Sequence, residues 1–162
     1  MRLSRNVRPN GKVSDHKMDH NHYADSFIRR ILTSVKTIAL VGASPKETRP
    51  SHTVMQFLLA KGYRVFPVNP GHKGKQLLGQ TVYARLADIP EPVDMVDVFR
   101  NSAALPGLVD EVLALKQRPQ VFWTQLGVRH DEAARKAEAA GLTVVMDRCP
   151  AIEYALLGLD NP

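Results

Sequence analysis

Cysteine occurs once in this chain, at Cys149, so no internal disulfide framework is available to hold the fold together. A lone thiol suits a reducing, cytoplasmic setting. Long hydrophobic runs are also missing, and with them any segment able to span a bilayer. The opening MRLSRNVRPNGKVSDHK has no apolar core, so no secretory leader is expected. There is no internal repeat and no sign of a second domain. What remains is a chain of 162 residues, 44% hydrophobic and 23% charged, long enough for one domain with a sizeable core. The formal charge of +6 allows an anionic partner. Part of it sits in the N-terminal tail, and no nucleic-acid motif accompanies it, so a phosphorylated small molecule is favoured over nucleic acid.

The rest of the chain is organised around VKTIALVGASPKETRPSHTVMQFLLAK, residues 35–61. Thr37 to Val41 is short, apolar and rich in strand formers, as expected of a buried parallel strand. Gly42 breaks it, small and polar residues follow, and Ser51 is placed to cap a helix whose apolar stripe is Val54, Met55, Leu58 and Leu59. A strand, a glycine turn and a helix N-terminus together direct free N–H groups at one point, a ready site for phosphate.

Before this unit, residues 1–25 are polar and basic and show no sustained period. They are expected to form a flexible arm, with His16, His20 and His22 read as solvated rather than as metal ligands. Residues 26–160 are expected to form the domain. Phe27, Ile28, Ile31 and Leu32 give a first helix over residues 25–34. Residues 64–68, 93–99, 120–124 and 142–146 read as further strands, with a minor one at 81–83 and a loop over 71–79. Residues 102–116, 130–140 and 150–157 read as helices, and 85–88 as a helical turn. Strands alternating with helices imply an α/β, Rossmann-like, doubly wound parallel sheet of about five strands with helices on both faces.

Ligands of such sheets lie beyond the carboxyl ends of the strands. The residues following each strand therefore carry the functional information. The first turn holds one glycine where the dinucleotide fingerprint needs three, and the second strand ends without the acid that binds an NAD ribose. Asn69, His72, Lys73 and Lys75 stand there instead. Cations at that point suit a phosphate on the ribose, which both NADP and coenzyme A carry. Lys46 and Arg49 are placed to meet a pyrophosphate beside the backbone amides.

VGASPKETRPS, YRVFPVNPG, VDMVDVFR, VFWTQLGVRHDEAA and GLTVVMDRCP, in that order, resemble the CoA-binding domain family. These are small proteins similar to the CoA-binding half of the succinyl-CoA synthetase alpha subunit. The resemblance implies a binding site for coenzyme A or an acyl-CoA. Gly42 and Ser44, with Ala43 between them, would let the turn approach the pyrophosphate, and Arg49 and Ser51 would complete the phosphate site. Val68, Asn69 and Pro70 would border the adenosine, with Lys73 reaching the 3′-phosphate. Phe99 and Arg100 would line the far side of the cleft. Trp123, Gln125 and Gly127 would shape its floor and the path of the pantetheine arm. Cys149 matches the cysteine of the family's Arg-Cys-Pro segment. The histidine that the synthetase phosphorylates lies in a second domain, which this chain is too short to contain, so the resemblance carries binding rather than ligase chemistry.

No catalytic constellation is legible. A non-catalytic binding module is therefore expected, against two alternatives: a CoA-dependent enzyme or thiol-redox protein using Cys149, and an NADP-binding oxidoreductase.

Overall fold

The structure is a computed structural model that describes residues 18–160. Five parallel strands form its sheet: β1 (Thr37–Val41), β2 (Arg64–Val68), β5 (Met95–Val98), β6 (Val121–Thr124) and β7 (Thr143–Val145). Their spatial order is β2-β1-β5-β6-β7. The two strands between β2 and β5 in sequence, β3 (Gln76–Leu77) and β4 (Gln80–Thr81), form a separate antiparallel hairpin. The chain runs outward from β1 to β2, then returns to the other side of β1 for β5. That reversal is the topological switch point, where open α/β sheets bind ligands.

Strands β5 and β6 are buried along their whole length, which explains why they read as unbroken apolar runs rather than alternating ones. Alternation appears in the two cores. Ile38, Leu40, Met95, Val121, Trp123 and Val145 face one layer, with α1 (Asp25–Ser34), α2 (Pro50–Ala60) and α5 (Pro150–Leu156) packed on it. Ala39, Val41, Val96, Val98, Phe122 and Val144 face the other, under α3 (Leu105–Leu113) and α4 (Asp131–Ala139). The doubly wound, Rossmann-like architecture expected from the sequence is therefore present. None of the helices among the described residues is long and apolar enough to cross a membrane.

Local readings differ at four places. The helix expected over residues 102–116 divides into a 3-10 turn, Ser102–Ala104, and α3, with Pro106 accommodated in the first turn, where no N–H is needed. The expected 71–79 loop contributes β3, because Leu77 is buried and anchors the hairpin. Tyr83 joins the main sheet only through a single bridge to Val68: its N–H donates to Pro67 and its carbonyl accepts from Asn69. Finally, the end of the expected N-terminal arm is packed on the domain. Tyr23 and His20 are buried. The Tyr23 hydroxyl accepts from the Met146 N–H at 2.8 Å and shares a second hydrogen bond with His20 Nδ1. His20 Nε2 then faces Glu138 at 3.1 Å. A tyrosine with apolar neighbours and a satisfied hydroxyl outweighs the polar composition around it. Residues 1–17 of that arm, including His16, lie outside the described residues. Among the described residues no group of three metal-ligating side chains converges.

Candidate functional site

The carboxyl ends of β1, β2 and β5 form one rim, with Val41 paired to both Val68 and Val98. A cavity of about 350 Å³ opens there on the α3 side. Val41, Gly42, Val68, Asn69, Pro70 and Gly71 form one wall, and Ala84, Arg85 and Leu86 another. Arg100, Leu108 and Glu111 close it. A larger hollow of about 560 Å³ lies between residues 86–93 and the end of α3, away from the switch point. The rim cavity is the better candidate, because the strand ends at the switch point line it.

Gly42 is indispensable to this rim. Its φ is +91°, and an added Cβ would stand 2.5 Å from the Phe99 carbonyl oxygen. The glycine thus lets the turn pass directly over the end of β5. The amides of Gly42 and Ala43 do not point into a ligand cradle, however. Both donate to the Val68 carbonyl, at 3.0 and 3.3 Å. The amides of Ser44, Glu47, Thr48 and Ser51 donate to no group among the described residues, and those of Ser44 and Ser51, at the end of the glycine turn and in the first helical turn, are the candidates for an anion.

The expectation that Ser51 caps α2 is corrected. Arg49 occupies the N-cap position without a capping side-chain bond, Pro50 opens the helix, and Ser51 is buried in the first turn. Proline at the first position gives up no hydrogen bond there, so the helix begins two residues earlier than a cap at Ser51 implies. Lys46, Arg49, Lys73 and Arg100 are exposed and make no ion pair among the described residues. Lys73 follows the 3-10 turn Pro70–His72, just outside the cavity wall.

Asn69 works for the backbone. Its Nδ2 donates to the Ala43 carbonyl at 2.7 Å and its Oδ1 accepts from Gly71 at 2.9 Å. One side chain thereby fixes the first turn against the second.

Residues beyond the switch point lie on the other side of the sheet end. Phe99 packs into the α1/α2/α5 core. Trp123 is fully buried, with Nε1 donating to the Arg148 carbonyl at 2.8 Å, so it is core and not cleft floor. Gly127 donates to Asp147 Oδ1 at 2.7 Å. Cys149 is 4% exposed and its carbonyl starts α5 by accepting from Glu153. Gln125 is buried, and its Oε1 has no hydrogen-bond partner among the described residues. Neither has either oxygen of Asp97, in the middle of the sheet. Burial pushes the Asp97 carboxyl well above its ordinary range, which favours the neutral acid.

Five of the residues singled out from sequence, Gly42, Val68, Asn69, Pro70 and Arg100, meet at the cavity. Ala43, Ser44, Lys46, Arg49 and Ser51 occupy the adjoining turn and helix start. Arg85, Leu108 and Glu111 escaped sequence reasoning. Arg85 was within reach of the strand-end rule, since it follows the short extended segment ending at Tyr83; Glu111 lies on a helix face that only the tertiary fold turns toward the rim.

A family model described as CoA binding domain matches residues 36–155. The uncharacterized protein YneT of Bacillus subtilis is 38% identical over 129 residues, covering 80% of this chain and 93% of that protein. A 76-residue stretch is 34% identical to the ADP-forming acetate–CoA ligase I of Archaeoglobus fulgidus, covering 47% of this chain but only 11% of the ligase. Among solved structures, a hypothetical protein from Pyrococcus horikoshii superposes with a TM-score of 0.79 at 38% identity, covering 89% of this chain and 99% of that one. A Thermus thermophilus protein gives 0.78 at 44% identity, covering 83% and 99%.

Proposed function

The chain belongs to the CoA binding domain family, and from that premise we propose that it binds coenzyme A or an acyl-CoA and holds it without transforming it. The observation that carries this reading is the switch-point cavity, where Gly42, Val68, Asn69, Pro70 and Arg100 come together. In this reading the amides of Ser44 and Ser51 and the side chains of Lys46 and Arg49 receive the pyrophosphate. Val68 and Pro70 flank the adenosine, and Lys73, with Arg85 and Arg100 nearby, draws the 3′-phosphate. The arm then crosses the strand ends toward Gln125 and Gly127. The donor set suits this group: cations and amides for phosphate, Arg85 being the one of these cations already paired, with Asp88 at 3.2 Å, and apolar walls from Val41, Leu86 and Leu108 for the base. Cys149 is enclosed, so nucleophilic chemistry through its thiol forms no part of the reading.

Calorimetric titration with coenzyme A, dephospho-coenzyme A and NADP tests it. Coenzyme A should bind most tightly, loss of the 3′-phosphate should weaken it, and Arg49→Ala should weaken coenzyme A and dephospho-coenzyme A alike. NADP binding in preference to coenzyme A would overturn the ligand assignment. Absence of binding by all three would overturn the reading as a whole.

A further inference from the structure

Asp97 and Gln125 occupy one face of two neighbouring strands. Asp97 is in register with Trp123, and Gln125 is two residues further along the same strand. The Gln125 N–H continues the ladder to the Val98 carbonyl at 3.0 Å, so the alternation of faces holds through Gln125. The two side chains are thus diagonal neighbours on the α1/α2/α5 side, with Asp97 deep and Gln125 at the rim.

Three enclosed oxygens stand there without a donor: both of Asp97 and Oε1 of Gln125. Buried polar groups are nearly always paired, and unpaired ones ask for a missing donor. The cross-strand residues at Asp97 are Leu40 and Trp123, which offer none: Leu40 has no polar side-chain atom, and the indole N–H is taken by Arg148. Arg100 lines the opposite, α3-side cavity.

We propose that Asp97 is a positioning residue: through one buried water it holds Gln125 Oε1 inward, leaving Nε2 to donate to a carbonyl oxygen of the ligand's pantetheine arm. The neutral carboxyl donates its O–H to the water, and the water donates to Gln125 Oε1. Without that anchor the amide is free to turn over, presenting an acceptor to the ligand's acceptor. Nε2 donates to no group among the described residues, so it is the end left for a ligand. This inference rests on the coenzyme A reading above.

The test compares coenzyme A with adenosine 3′,5′-bisphosphate, which lacks the arm, on the full chain. Asp97→Leu should weaken coenzyme A by about tenfold, a single hydrogen bond's worth. Asp97→Asn, which keeps a donor, should stay within about twofold of wild type by the same measure. Gln125→Leu should match Asp97→Leu, and the double variant should lose no more than either single. The bisphosphate should bind all of them as it binds wild type. Should Asp97→Leu fail to fold, Gln125→Leu and Asp97→Asn carry the comparison. Unchanged coenzyme A affinity in Gln125→Leu, equal losses for both ligands, or additive losses in the double variant would overturn the inference while leaving coenzyme A binding intact. A wild-type chain that binds neither ligand would overturn the underlying reading and this inference with it.

Discussion

Replacing Gly42 by alanine separates two reasons for a glycine. The backbone there has φ +91°, and the new Cβ would stand 2.5 Å from the Phe99 oxygen, 2.9 Å from its carbonyl carbon and 3.2 Å from its Cβ. A left-handed conformation costs an L-residue about 1–2 kcal/mol. The clash is with backbone of the central strand, not with a flexible side-chain tip, so the turn or the end of β5 must move. Overpacking of that kind adds about 1–3 kcal/mol. The sum, about 2–5 kcal/mol, is a large part of the stability of an ordinary domain. At about 2–4 °C per kcal/mol for a chain of this size, the variant should melt roughly 5–20 °C below wild type. Gly62→Ala is the control. Its φ is +94°, but nothing lies within 4 Å of the added Cβ. It should show the conformational cost alone, about 1–2 kcal/mol. Parallel urea and thermal denaturation of the two variants gives the contact term as their difference. Equal losses at the two positions would refute the argument that β5 excludes a side chain at Gly42, and no loss at either would refute the conformational term as well.

Two further outcomes are expected. Tyr23→Phe leaves the Met146 N–H without its acceptor, so stability should fall by about 1–3 kcal/mol and the Met146 amide should exchange faster; unchanged exchange would show that the hydroxyl does not hold that strand end. Asp97 has a folded pKa raised above its ordinary 3.8 by burial, so its neutral form supports the fold fully below that pH, and the support is lost as pH rises toward the folded value. Asp97→Asn removes this titration. Its stability relative to wild type, from urea midpoints, should therefore improve as pH rises above the ordinary 3.8; a flat difference would mean that the carboxyl does not titrate differently on folding.

The doubly wound sheet was legible because its strands are short apolar runs set between helices with clear stripes, as in Thr37–Val41 followed by Val54, Met55 and Leu58. Strand-end residues were legible for the same reason, since the fold rule names them without coordinates. Hydrogen-bond direction was not. Gly42 and Ala43 looked like a phosphate cradle, yet their amides are occupied by Val68, a partner 25 or more residues away in sequence. Ser51 looked like a cap, yet Pro50 starts the helix. His20 and Tyr23 looked like part of a solvated arm, because the groups that bury them, Met146 and Glu138, come from the far end of the chain. Glu111 became visible only when α3 was set against the strand ends.

The borders of the sheet carry a consequence for assembly. On the β2 side, Pro67 has no N–H, and its carbonyl and the Asn69 N–H are both taken by Tyr83. On the β7 side, the Met146 N–H is taken by the Tyr23 hydroxyl. A neighbouring molecule seeking to add a strand meets blunted edges at both margins. Any self-association of this domain is thereby directed to side-chain surfaces, where Ile152 and Leu156 stand one turn apart and exposed on α5. Ribbon-like growth from sheet to sheet is disfavoured from the outset.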